Sequence, residues 1–313
     1  MPLRTRGGIF LTCNLIPEKS FYFFPLYVNN PSRIRLYCNH PIDYNIIIMK
    51  EFIVFSSLDA ISDRFGVSAG ARLEWDSRIL VSAGTESLVL TSQNPKELAG
   101  STFGMIPAWS KESRRWLFAR GEWKKNPAND PHFNGSKAIF MNPAFRKPLF
   151  RQRCAVPADA LVVWHRNQPW LVYLRDKQRP FAMAGVYDIR VDPGTRAEHH
   201  SFALITVPGN GLIRQLSSDR MPVILPPGGE TSWLRESCSL TEILSMLQMY
   251  PAEKMNAHPV SDAIFNADRI TAGMLRPVAD KAFREHDLKQ LPQRYYHSRP
   301  RLMGNFSKPS NTS

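Results

Sequence analysis

A chain of 313 residues, 43% of them hydrophobic, can bury a substantial core, which excludes wholesale disorder. Its formal net charge of +13 excludes an acidic surface and points to a polyanionic partner, nucleic acid above all. The cysteines Cys13, Cys38, Cys154 and Cys238 are far apart and form no Cys-x-x-Cys pair, which argues against a zinc site or a disulfide framework. No stretch approaches the roughly 20 apolar residues of a membrane span.

The excess charge is uneven. Residues 1–48 hold five Lys/Arg against two Asp/Glu, and residues 281–313 hold seven against two, so more than half of the excess lies in the flanks. Residues 1–48 are rich in Pro, Asn and aromatics without a clean period. Arg4 and Arg6 before "GGIFLTCNLI" suggest a signal peptide, but the apolar run is short, Asn14 interrupts it, and no small-residue cleavage site follows. At Met49 a regular pattern begins: a short strand over Phe52–Phe55, then an amphipathic helix carrying Leu58, Ile61 and Phe65. Met49 is therefore expected to open the domain, with residues 1–48 an extension or an unused upstream start.

Further strands are predicted at "RILVSAG", "SLVLTS", "CAVPADALVVW", "PWLVYLR", "FAMAGVYD" and "SFALITV", separated by Pro, Gly, Asn and Asp turns. Helices are predicted at "TSWLRES" and "SLTEILSMLQMY", the latter capped by Ser239 or Thr241. Strands dominate, spacing is irregular and helices come late, so the expected class is α+β with a mixed sheet in one domain over residues 49–280. Residues 281–313 read as a disordered basic tail.

"KESRRWLFARGEWKKN" (111–126) interleaves Lys111, Arg114, Arg115, Arg120, Lys124 and Lys125 with Trp116, Phe118 and Trp123. Cations for phosphates and rings for unpaired bases are what single-strand binding requires. Trp116, Arg120 and Trp123 also fall near helical spacing, so an amphipathic helix with its rings in the core is the alternative.

Five strings fall in order along the chain: "FGMIPAWSK" (103–111), "NPAFRKPLFRQRCAVPADALVVW" (142–164), "FAMAGVYD" (181–188), "ITVPGNGLIRQLSSDRMPVIL" (205–225) and "HPVS" (258–261). Together they resemble the SOS-response-associated peptidase (SRAP) family of abasic-site processing proteins, from about Met49 to Val278. The resemblance implies a single α+β domain, a bifurcated, barrel-like mixed β-structure with peripheral helices and a basic groove. It implies binding to single-stranded DNA at an abasic site, where an N-terminal Cys closes a thiazolidine crosslink with the open-chain sugar aldehyde. An Asn in an Asn-Ala-Arg motif, a Glu ending Pro-Ala-Asp-Gly-Phe-Tyr-Glu-Trp, and a His before Arg-Met-Pro would assist. The amine forms a Schiff base, the thiol traps it, and acid/base groups move the protons.

This chain departs at those positions. Lys50 follows Met49 where the family has Cys, Val163 stands for the Glu, and Ser218 for the His. Counted back from Trp164 the Asn-Ala-Arg motif falls on "FNGS", with Phe133 on the Asn and Asn134 restored by a one-residue gap. Without a thiol no thiazolidine forms. Lys50 and Asn134 remain weak catalytic candidates, Pro2 a weaker amine. Cys154 reads as a buried thiol, His258 as a structural hydrogen-bonder, and Asp219 as a partner of Arg220 or a turn cap.

The binding features survive better. The resemblance assigns Trp109 to base stacking and Arg220 to a phosphate or backbone contact. It places Thr206 at a strand end near the groove, and Arg146 and Arg151 near a basic position. Asn134, Trp116, Arg120 and Trp123 complete the expected DNA-binding set. The expected protein is a monomeric single-stranded or abasic-site DNA binder that has lost crosslinking. Neither metal nor cofactor is implied, no membrane is involved, and the expected location is the cytoplasm, on the nucleoid when bound to DNA. The alternatives are an abasic-site processor with a non-standard amine, or an interaction module that kept the fold alone.

Overall fold

The structure, a computed structural model, describes residues 50–282 apart from 71–72, 74, 76–77, 111–113 and 176–179. The expected extension, Pro2, Cys13, Cys38, Lys111 and nearly all of the basic tail lie outside the described residues. In chain order the first elements are β1 (Glu51–Val54), α1 (Leu58–Phe65), β2 (Ser68–Ala69), β3 (Ile79–Val81), β4 (Glu86–Thr91), β5 (Glu97–Phe103) and β6 (Phe118–Arg120). The central part comprises α2 (Pro143–Arg151), β7 (Arg153–Ala158), β8 (Ala160–His165), β9 (Gln168–Leu174), β10 (Phe181–Val191) and β11 (Glu198–Pro208). Then follow α3 (Gly211–Gln215), β12 (Arg220–Pro222), β13 (Ile224–Leu225), α4 (Gly229–Leu234), α5 (Leu240–Ser245) and β14 (Met255–Pro259).

Two sheets result. One has five strands in the order β14-β9-β8-β1-β3. The other has nine, in the path β12-β11-β10-β7-β4-β5-β2, with β13 on β10 and β6 on β11. A parallel pairing of β11 with β5, Ser201 to Thr102 and Phe202 to Phe103, closes β11-β10-β7-β4-β5 into a barrel-like circuit. Phe103 and Phe202 stack inside it with centroids 5.3 Å apart, and Phe52 meets Phe103 edge-on at 5.6 Å. The fold is α+β, as the strand-rich sequence implies.

Alternation along β1 and β8 sorts side chains between two clusters. Phe52, Val54, Leu161 and Val163 face the main core, while Ile53, Ala160 and Val162 face a smaller cluster with Leu171, Ile264 and Ile270. Asp159, in the turn between β7 and β8, pins the end of β1: its carboxylate accepts from Phe55 N (2.7 Å), Ser56 N (2.8 Å) and Ser56 Oγ (2.6 Å).

The helices follow their caps. Ser57 caps α1, and Gly66, at φ 64°, ends it in the left-handed conformation that glycine adopts without a Cβ penalty. Ser239 caps α5 in a full capping box with Glu242. Asn142 caps α2 with Pro143 in its first turn, and Pro148 lies inside the helix. Arg153, buried just beyond it, donates to Leu149 O (2.9 Å), Phe150 O (3.0 Å), Trp233 O (2.8 Å) and Arg235 O (2.6 Å), tying α2 to the end of α4. A cation at a helix C-terminus also meets the negative end of the helix dipole.

The segment 111–126 is not a helix where it is described. Trp116 bridges to Met105, Phe118–Arg120 is a strand, and Trp123–Lys125 is one 3₁₀ turn. The parallel ladder to β11 satisfies this backbone and overrides the near-helical spacing of the rings.

Candidate nucleic-acid interface

Lys50 and Val163 lie at one end of β8, and the loop that carries Ser218 is tied to that end through Ser217. Glu51 pairs with Val162 and Phe52 with Leu161, so one further step of the antiparallel register sets Lys50 opposite Val163. Lys50 is exposed, whereas Val163 is 1% exposed and packs into the main core. Ser218 is fully buried, and its hydroxyl donates inward to Arg220 O at 2.9 Å. Two residues beyond Val163, on the same face, is His165. Its Nδ1 is 2.8 Å from Ser217 Oγ, and its ring meets Trp170 edge-to-face at 6.3 Å. This contact ties β8 to the loop before β12. Sequence reasoning passed over His165, although the alternation Leu161, Val163, His165 was there to be read.

Arg220, expected to make a phosphate or backbone contact, is turned into the fold. It is fully buried and clamped by three elements. Its Nη2 donates to Glu122 Oε2 (2.8 Å) and Thr206 O (2.6 Å), its Nε to Thr206 Oγ1 (3.1 Å), and its Nη1 to Asn129 Oδ1 (2.9 Å). Burial lowers the Arg220 pKa and the Glu122 carboxylate opposes that shift; the pair is a structural pivot. Glu122 is itself buried and also receives Lys137 Nζ at 3.3 Å. Thr206, 1% exposed, is an acceptor in this pivot and does not face solvent. Asp219 is 3.9 Å from Arg214 Nη1 and partly exposed, and its backbone oxygen accepts from Gly209 N at 2.8 Å.

The loop Asn126–Asp130 straps three arginines. Arg120 Nη2 donates to Asn126 O (2.6 Å) and Asn129 Oδ1 (2.9 Å), Arg214 Nη1 donates to Asn129 O (3.1 Å), and Arg220 adds the bond already given. Asn129 takes φ 54°, a left-handed conformation that Asn tolerates better than most residues. Arg120 is thereby half-buried and held through Nη2, while its Nε is buried without a hydrogen-bond partner among the described residues. Phe118-Ala119-Arg120 carries two of the three letters of Asn-Ala-Arg, and it lies in register beside Leu204–Thr206 at this pivot. Asn134, the motif Asn restored by a one-residue gap, is exposed in a separate loop.

The remaining expected ligands are outside this network. Trp109 is 67% exposed at the tip of a turn held from beneath. Ser110 N donates to Pro107 O (2.8 Å), and Ala108 N donates to Asp188 Oδ2 (2.8 Å). Asp188 is buried, and its other oxygen accepts from Gln152 Nε2 (3.2 Å) and Ile189 N (2.9 Å). Arg146 is exposed on α2, as is Lys147, and Arg151 is exposed at its end. Trp116 is half-buried, edge-on to Phe145 at 5.6 Å with Arg114 4.9 Å from its ring centre. Trp123 is half-buried at φ 49°, with Lys124 Nζ 5.3 Å from its ring. A bulky residue held at positive φ is strained, and such strain clusters at functional sites. Cys154 is buried within β7, and His258 Nε2 is 2.8 Å from Leu275 O, an interaction internal to the fold.

The fold is a barrel-like mixed sheet that carries an aromatic turn pinned on Asp188 and cations exposed on α2. The chain belongs to the SOS response associated peptidase (SRAP) family, whose model matches residues 51–267. It is 29% identical over 223 residues to abasic site processing protein YoqW of Bacillus subtilis, covering 68% of this chain and 92% of that protein. It is 29% identical over 171 residues to abasic site processing protein YedK of Escherichia coli, covering 52% and 73% of the two chains. Abasic site processing protein HMCES of Rattus norvegicus is 27% identical over 208 residues, covering 56% of this chain and 55% of that one. A crystal structure of a Bacteroides thetaiotaomicron protein superposes with a TM-score of 0.62 at 25% identity, over 73% of this chain and 99% of that one.

Proposed function

We propose that this protein is a monomeric single-stranded DNA binder that engages abasic-site DNA without forming the family's thiazolidine crosslink, acting in the cytoplasm on the nucleoid. The observation that carries the binding half is Trp109, 67% exposed on a turn pinned by Asp188. An aromatic face stacks on any unpaired base, and Arg146, Lys147 and Arg151, exposed on α2, supply cations for phosphates. The loss of crosslinking rests on Lys50, Val163 and Ser218, which offer neither thiol, carboxylate nor imidazole.

Fluorescence anisotropy with a single-stranded oligonucleotide carrying one abasic site tests the reading. Binding should weaken with salt. Trp109→Ala should cost about 1–3 kcal/mol, roughly 5- to 150-fold in Kd, without changing the melting temperature. A denaturing gel of the same mixture should show no covalent band without reductant. A reductant-independent band would overturn the loss of crosslinking, and no binding at low salt would leave an interaction module that kept only the fold.

A further inference from the structure

We infer that Lys50 and His165 form an amine–imidazole pair that holds an abasic-site aldehyde as a reversible imine. The inference rests on the proposed DNA reading and assigns it a chemistry distinct from the thiazolidine.

The sheet sets the two residues on one face of neighbouring strands, 115 positions apart in sequence. The β1–β8 register sets Lys50 opposite Val163, and opposed residues of an antiparallel pair point to the same face. His165 lies two residues further along β8 on that face, about 6.7 Å along the strand. A four-carbon lysine stem and an imidazole can meet across that gap over Val163. Trp170, the register partner of Val163, packs its ring against the edge of His165 and limits the swing of the imidazole. Ser217 fixes its Nδ1 at 2.8 Å. The pair requires the tautomer in which Nδ1–H donates to the Ser217 hydroxyl, which leaves the Nε2 lone pair as the base, with no partner among the described residues. Ser217 adjoins Ser218, so an imidazole stands beside the position where the family's histidine would be, supplied by β8 instead of by the loop.

The step balances without a further reagent. The Lys50 ammonium gives a proton to His165 Nε2, and the freed Nζ lone pair adds to C1′ of the open-chain sugar. A proton passes from the new ammonium nitrogen to the alkoxide, the imidazolium gives its proton to the resulting carbinolamine hydroxyl, and that oxygen leaves as water as the C=N bond of the protonated imine forms. Addition of water reverses the sequence. With no thiol beside the imine, ring closure to a thiazolidine has no nucleophile and the adduct stays hydrolysable.

Borohydride trapping with the full chain tests this, read as covalent product per DNA bound, with binding measured separately by anisotropy. The expected result is a band that appears only with borohydride and that peptide mass spectrometry maps to Lys50. Lys50→Arg should abolish that adduct. His165→Gln should slow its formation on the order of 100-fold while leaving it on Lys50. DNA binding without trapped product, adducts scattered over other lysines, an adduct on a terminal amine, or an unchanged rate in His165→Gln each overturns the inference and leaves the DNA reading standing. Absence of DNA binding overturns both.

Discussion

Glu122→Gln probes the buried pivot with a near-isosteric change. Glu122 and Arg220 are both fully buried and 2.8 Å apart, so removing the carboxylate charge strands a guanidinium in the core and deprives Lys137 of its partner. Breaking a buried pair by removing one member costs about 3–5 kcal/mol. Thr206 O, Thr206 Oγ1 and Asn129 Oδ1 still accept from Arg220, which puts the expected loss near the lower end, about 3 kcal/mol. For a domain of this size the urea slope is about 3 kcal/mol per M, so the midpoint should fall by about 1 M. The melting temperature should fall by about 6–12 °C. Urea unfolding followed by tryptophan fluorescence gives both slope and midpoint. A loss below about 1 kcal/mol at unchanged slope would refute the pivot. Arg220→Lys separates pivot from ligand: a clamped fork predicts a lowered midpoint, because an ammonium cannot reproduce four directed bonds. A phosphate ligand predicts an unchanged midpoint and a DNA-binding salt slope reduced by about one.

Asn129 supplies one side-chain oxygen to both Arg120 and Arg220 from a left-handed backbone, so Asn129→Gly should cost about 1–3 kcal/mol and Asn129→Ala about 1 kcal/mol more, in the same urea assay. An Ala variant as stable as the Gly variant would show that the strap rearranges. Burial pushes the Cys154 thiol pKa up, so at pH 8 iodoacetamide should leave Cys154 unmodified in the native protein and label it in urea; half-buried Cys238 should label without denaturant, as read by peptide mass spectrometry.

The strands were legible because apolar alternation bounded by turn residues is a local signal, and so was the Ser239 cap of α5. Helix α2 carries Pro143 and Pro148, residues that disfavour a helix interior, although the first occupies the turn where proline fits. The closure of β11 on β5 joins residues about 100 positions apart, and no local pattern encodes it. The same distance misled the reading of Arg220. Beside Met-Pro in a polar loop it looked like a ligand, and its acceptors come from Glu122, 98 residues upstream, and Asn129, 91 residues upstream. A gap-free register from Trp164 points to Phe133–Gly135, whereas pairing with β11 brings Phe118–Arg120 to the pivot. Lys50, Val163 and His165 were each visible, but their meeting depends on sheet register.

The replaced positions also show why this fold can shed one kind of residue more easily than another. Val163 lies in the main core, where an ionised carboxylate would be costly without partners, so a valine relieves a burden that only chemistry would justify. Ser218 likewise turns inward to a backbone carbonyl. Trp109 is the opposite case. At 67% exposure its ring adds little to the core, yet a buried carboxylate is committed to holding the turn that displays it. Under the proposed function Val163 and Ser218 serve the fold alone, while the buried Asp188 carboxylate serves the turn whose exposed ring would meet a DNA strand.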